Sequence, residues 1–214
     1  MPSEKQVSYP TTNTYSILND FTPKTRNIWI SCHGIGYLSE FFIAHFKHLD
    51  PETNYIIAPQ APSKYYQDKS YKYIGASWFT RKYLDQEIKN VCNYLDAVYE
   101  KEVRPLHDNS VNLILFGYSQ GVSAITRWVA YSKINCAKLL LHSGGIPDEL
   151  VPNDFTHLNK CKISLTYGDQ DEYLNRNRLI KEEQKCRSLW GKDFSISNFE
   201  GTHEVNEMFI KENA

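Results

Sequence analysis

The chain has 214 residues, enough for one globular domain with a sizeable core. Its 24 Lys+Arg against 25 Asp+Glu leave a net charge of −1. That balance argues against a nucleic-acid binder or a polybasic membrane anchor, both of which need clustered cations.

In chain order, Met1, Pro2 and the four residues after them lack an apolar signal core. No apolar run is long enough to span a bilayer, so no stable membrane insertion is expected. Residues 28–32 read as a β-rich strand that stops at His33-Gly34-Ile35-Gly36, and residues 38–49 look helical. Residues 55–58 form a short apolar run closed by Pro59. Residues 60–80 show no clear periodicity and predict a long loop, crowded with Tyr65, Tyr66, Tyr71, Tyr73, Trp78 and Phe79. Leu84, Ile88, Val91, Leu95 and Val98 recur at helical spacing on one face. Residues 111–116 read as a buried central strand, followed by a helical pattern through Val122, Ile125 and Val129. Strands at 138–141 and 162–167, a helix over 174–189 and a weaker strand at 194–196 complete the alternation. The pattern predicts an α/β fold, a mostly parallel sheet with helices on both faces, in one domain over residues 1–214 without a large cap. Cys32, Cys92, Cys136, Cys161 and Cys186 are widely spaced, with no C-x-x-C pair. They predict reduced thiols in a cytoplasmic setting, and no ligand cluster asks for a metal.

Gly117-Tyr118-Ser119-Gln120-Gly121 lies between a strand and a helix. G-x-S-x-G in that context is a nucleophile elbow, whose sharp turn needs small flanking residues and lifts the serine hydroxyl clear of the sheet edge. Serine needs a base, and in this arrangement an acid and then a histidine follow in the chain. Gly168-Asp169-Gln170-Asp171 directly follows the strand at 162–167, and Gly201-Thr202-His203 follows the last strand. Both positions lie at strand C-terminal ends, where the loops of a parallel sheet gather. Of the other histidines, His45, His48, His107 and His157 lie elsewhere, and His142 precedes the acid. Asp169 and Asp171 lie two apart, one imidazole takes one of them as its partner, and the residues alone leave the choice open. An oxyanion hole takes two backbone N–H groups: Gln120, beside the nucleophile, and Ile35, in the Gly-rich turn after the first strand. The aromatic segment at 60–80 suits the lip of an ester-binding cleft, with Trp78, Tyr73 and Tyr118 as substrate-binding candidates.

These residues resemble the phospholipase/carboxylesterase family of α/β-hydrolases, which includes the acyl-protein thioesterases. The resemblance spans about residues 27–205. It rests on H-G-I-G at 33–36, A-P-x-A-P at 58–62, S-W-F at 77–79, G-Y-S-Q-G at 117–121, S-G-G at 143–145, G-D-Q-D at 168–171 and G-T-H at 201–203. It implies Asp171 as the acid, Ile35 and Gln120 as oxyanion donors, and Trp78 beside the site. It also implies hydrolysis of small-molecule esters or thioesters without a cofactor. Val122 stands where a second glycine is usual, Tyr37 replaces an aspartate, and Glu172-Tyr173-Leu174 replaces a Val-Pro. The competing readings are a non-catalytic binding protein that keeps the fold and a peptidase of the same fold. The sequence assigns no oligomeric state.

Overall fold

The computed structural model describes residues 3–106, 110–158 and 160–214. Met1, Pro2 and His107 lie outside them. The elements run β1 (Tyr15–Leu18), β2 (Asn27–Cys32), α1 (Ser39–Phe42), β3 (Asn54–Pro59), β4 (Ser63–Tyr66), β5 (Ile74–Ser77) and α2 (Leu84–Glu102). They continue with β6 (Asn112–Tyr118), α3 (Gln120–Ser132), β7 (Lys138–His142), β8 (Lys162–Gly168), α4 (Arg176–Trp190), β9 (Phe194–Phe199) and α5 (Glu207–Glu212). Seven strands form one sheet in the order β1-β3-β2-β6-β7-β8-β9. Only the β1–β3 pair is antiparallel. Among the described residues, no helix is long and apolar enough to cross a membrane.

The continuous apolar runs are strands buried on both faces. Along β2, Ile28, Ile30 and Cys32 enter one core cluster while Trp29, between them, enters the other. The first cluster carries α2 and α3 through Leu95, Ile125 and Trp128. The second joins Trp29 to Phe42, Phe46, Ile56 and Phe116.

Three segments differ from the expectation. β1 was not visible in the sequence: its four residues are partly exposed, and its strand form comes from pairing with β3, from Tyr15 opposite Pro59 to Leu18 opposite Ile56. The helix expected over 38–49 is a single α turn followed by a 3-10 turn at Ile43–Phe46. The turn inserts Phe42 and Phe46 beneath β2, and Pro51 disfavours helical continuation through Asp50. The loop expected at 60–80 contains the antiparallel hairpin β4–β5. All four β4 residues are exposed, so no alternation marked it as a strand.

Trp128 is fully buried between α3 and α2, its indole N–H donating to Asp96 Oδ1 at 2.8 Å and its ring edge-on to Tyr99. Trp128→Ala empties that volume and should lower the unfolding free energy by about 3–5 kcal/mol. Urea denaturation against wild type measures the loss.

Candidate active site

β6 ends directly in Ser119, which has φ 52° and ψ −117°. Such a conformation is strained for a residue with a side chain, and persists only where the surroundings impose it. The crowding is measurable at the flanking glycines. A Cβ on Gly121 would lie 2.0 Å from the Cys32 carbonyl oxygen, and one on Gly117 would lie 2.6 Å from that of Gly121. Helix α3 is therefore pressed onto the ends of β2 and β6, and only glycine fits at either place. Val122, where the resemblance leads one to expect glycine, is fully buried and fills the space above Gly144. A Cβ on Gly144 would meet Val122 Cγ2 at 2.5 Å and the Ser119 carbonyl oxygen at 2.3 Å.

The loops after β8 and β9 interlock. Asp169 N–H donates to Phe199 O, Gln170 N–H to Gly201 O, and Asp169 Oδ1 accepts from Gly201 N–H at 3.1 Å. Asp169 thus joins the two loops, while Asp171 points inward. The Asp171 carboxylate is buried. Its Oδ1 accepts from the N–H groups of Tyr173 and Leu174 at 2.8 and 3.0 Å. Its Oδ2 accepts from His203 Nδ1–H at 2.8 Å. His203 Nε2 lies 2.9 Å from Ser119 Oγ, which donates to it. The Glu172-Tyr173-Leu174 segment, a departure from the family pattern, supplies both N–H groups that hold the carboxylate. The Tyr173 ring also stands edge-on to His203 with centroids 4.7 Å apart.

The Gly34–Gly36 turn sits against the elbow: a Cβ on Gly34 would lie 3.1 Å from Ser119 Cβ. No carbonyl among the described residues accepts from the N–H of Ile35, or from that of Gln120 at the first position of α3. Several contacts hold the turn. Gly36 N–H donates to Ala76 O, and Gln67 Nε2 to Gly36 O at 2.6 Å. His33 Nδ1–H donates to Gly34 O at 2.8 Å and its Nε2 accepts from Ala61 N–H at 3.1 Å. The Gln120 side chain accepts from Trp78 N–H at 2.8 Å and donates to Phe79 O at 2.9 Å. Sequence reasoning missed Gln67, His33 and the Gln120 side chain. His33 and Gln120 stand inside the quoted motifs, and no signal marked Gln67.

The structure brings Ser119, Asp171 and His203 into one hydrogen-bonded line, with Ile35 and Gln120 flanking the serine. Of the three expected substrate-binding residues, it buries Trp78 and Tyr118 and leaves Tyr73 exposed. Trp78 is fully buried, and its indole N–H donates to His33 O at 2.8 Å. That bond ties it to the residue that begins the Gly34–Gly36 turn. Tyr118 is buried behind the histidine, its phenol donating to His203 O at 2.8 Å. Tyr73 is exposed beside the hairpin turn and makes no hydrogen bond or ring contact with Ser119, Asp171 or His203. The side chains exposed beside the serine and the imidazole are instead Ile35 and Tyr173.

Two further histidines flank the elbow in neutral form. Burial pushes His33 down to about 4, against a smaller upward pull from its bond to Gly34 O. Burial, and then the neighbouring His203 charge, push His142 down to about 3. His142 Nε2 accepts from Asn206 N–H at 2.9 Å, and His142 O accepts from Ser119 N–H.

The family model described as phospholipase/carboxylesterase matches residues 14–212. The fold is similar to that of Zea mays acyl-protein thioesterase 2, at 14% identity and TM-score 0.66, over 94% of this chain and 96% of that one. It is similar to esterase PE8, at 18% identity and TM-score 0.66, over 94% and 99%. It is also similar to a phospholipase/carboxylesterase from Dyadobacter fermentans, at 16% identity and TM-score 0.64, over 97% and 98%. At these identities the likeness is one of fold. No curated protein matches the sequence.

The two buried histidines set an acid limit on stability. The unfolded chain protonates them below about 6.5, whereas the folded chain resists until about 4 and 3. Their contribution is complete above pH 6.5 and declines as pH falls through that window. The melting temperature should drop between pH 7 and 4.5, while NMR shows the His33 and His142 imidazoles neutral at pH 5. Either ring titrating near 6.5 in the folded protein would contradict this.

Proposed function

The chain belongs to the phospholipase/carboxylesterase family, and from that premise we propose that it is a serine hydrolase cleaving small carboxylic esters or thioesters through an acyl-enzyme on Ser119. The supporting observation is the unbroken line Asp171 Oδ2–His203 Nδ1–His203 Nε2–Ser119 Oγ, at 2.8 and 2.9 Å. In this reading Ser119 Oγ attacks the substrate carbonyl as His203 Nε2 takes its proton. Asp171 fixes the imidazole so that Nε2 is the acceptor, and stabilises the imidazolium that forms. The N–H groups of Ile35 and Gln120 receive the developing oxyanion. His203 returns the proton to the departing alcohol or thiol, then activates a water that releases the acid. The first proton transfer uses side chains already in hydrogen-bond contact.

Exposed Ile35 and Tyr173 offer apolar surface beside the serine, which suits an acyl chain. A non-catalytic binding protein has no use for a serine held at positive φ against a base. A fluorophosphonate probe separates that alternative: it should label wild-type protein at Ser119 and leave Ser119→Ala unlabelled.

Ser119→Ala and His203→Ala should each reduce kcat/KM at least about 1000-fold with the fold intact by circular dichroism. Asp171→Asn should be far more damaging to kcat than Asp169→Asn, whose carboxylate reaches only Gly201. The reverse order would reassign the acid. Trp78→Ala should lower the melting temperature, and slow hydrolysis of acetyl and long-chain p-nitrophenyl esters to a similar degree. A loss confined to long chains would return Trp78 to the cleft.

A further inference from the structure

The end of the sheet opposite Ser119, where β6, β7 and β8 begin, carries a second cluster of reactive side chains. A cavity of about 370 Å³ opens there, lined among others by Leu113, Asn135, Cys136, His157 and Cys161. Cys136 Sγ and Cys161 Sγ lie 3.4 Å apart, although 25 residues separate them in the chain. The backbone fixes this approach. Lys138 pairs with Lys162 across β7 and β8, and Lys162 N–H donates to Ala137 O at 2.9 Å. The two cysteines therefore stand at the entrances of adjacent, firmly registered strands. A disulfide requires a sulfur separation near 2.05 Å, so closure needs a movement of about 1.4 Å, within reach of side-chain torsions.

The pair differs from the other three cysteines. Cys32, Cys92 and Cys186 are buried in the core, and burial pushes their thiols up. Cys136 and Cys161 are only partly buried and border the cavity. The bond from Cys161, and then burial, hold the Cys136 thiol well above its ordinary range. Cys161 Sγ, whose contact with Lys162 O is open to solvent, is the sulfur that meets a reagent first, and Cys136 the one that resolves. Among the described residues, no group of three or more His, Cys, Asp or Glu is arranged to hold a metal ion.

We propose that Cys136 and Cys161 form a reversible dithiol–disulfide site, oxidised by small-molecule disulfides such as glutathione disulfide. The Cys161 thiolate attacks one sulfur of the reagent, breaking its S–S bond, expelling one glutathione thiolate and leaving a mixed disulfide on Cys161. The cavity gives the attached fragment room. Cys136 then loses its proton to solvent and attacks the Cys161 sulfur, forming the intramolecular bond and expelling the second glutathione. Two protein thiols are oxidised and one small disulfide is reduced to two thiols.

The full chain, freshly reduced, is treated with excess glutathione disulfide, unfolded, capped with a maleimide and analysed by intact mass and peptide mapping. The expected result is loss of two of the five cappable thiols, no retained glutathione, and one cross-link joining the peptides of Cys136 and Cys161. Dithiothreitol should restore all five. Cys136→Ser should instead accumulate a glutathione adduct on Cys161, since the resolving sulfur is gone. Five free thiols after treatment, a cross-link through any other cysteine, or an unresolved adduct on wild-type Cys161 would overturn the proposal. The wild-type mapping decides the matter even if the variant does not fold.

Discussion

The site depends on one steric constraint, the contact between the start of α3 and the end of β2. Gly121 leaves no space for a side chain against the Cys32 carbonyl. With the helix pressed that close, the chain between β6 and α3 must turn within one residue, and that residue takes the positive φ of Ser119. The two core clusters on either face of β2 and β6 offset the strain. The same closeness places the Gly34–Gly36 turn beside the serine, so Ser119 and the flanking N–H groups arise from a single packing decision.

The histidine and its acid are held by a different device. Their loops cross-link through backbone groups and through Asp169, and a Cβ on Gly168 would strike the Thr202 carbonyl oxygen at 2.2 Å. Asp171 spends one oxygen on the N–H groups of residues 173 and 174 and keeps the other for the imidazole. The imidazole is further backed by the Tyr118 ring and faced by that of Tyr173. A carboxylate and an imidazole with so few alternative partners keep one mutual geometry.

What was legible in the sequence was what strong local rules dictate. The central strands stood out because both faces are buried, and the elbow because its turn tolerates only small neighbours. The alternation of strand and helix carried the fold. The acid was not separable from its neighbour by residue type. Asp169 and Asp171 differ only in which way a two-residue step turns them, and that depends on Gly201, some thirty residues on. The burial of Trp78 was not legible because an aromatic residue in a loop-like segment says nothing about which way its side chain turns. The β4–β5 hairpin was hidden because its outer strand has no buried face. β1 is a strand only because β3 offers it an edge.

That hairpin ties catalysis to a separate scale of stability. It is a two-stranded ribbon outside the main sheet, with its outer strand in solvent, and such ribbons open at a small fraction of the free energy needed to unfold a domain. Yet Ala76 on its inner strand and Gln67 at its turn hold the backbone of Gly36 next to Ile35. An opening of the ribbon therefore releases the Gly34–Gly36 turn, and with it the proposed oxyanion donor Ile35, while the sheet, the elbow and the Asp171–His203–Ser119 line stay intact. Heat or denaturant would silence such a molecule before melting it, and its working temperature range would follow the order of a few exposed residues more than the strength of its core.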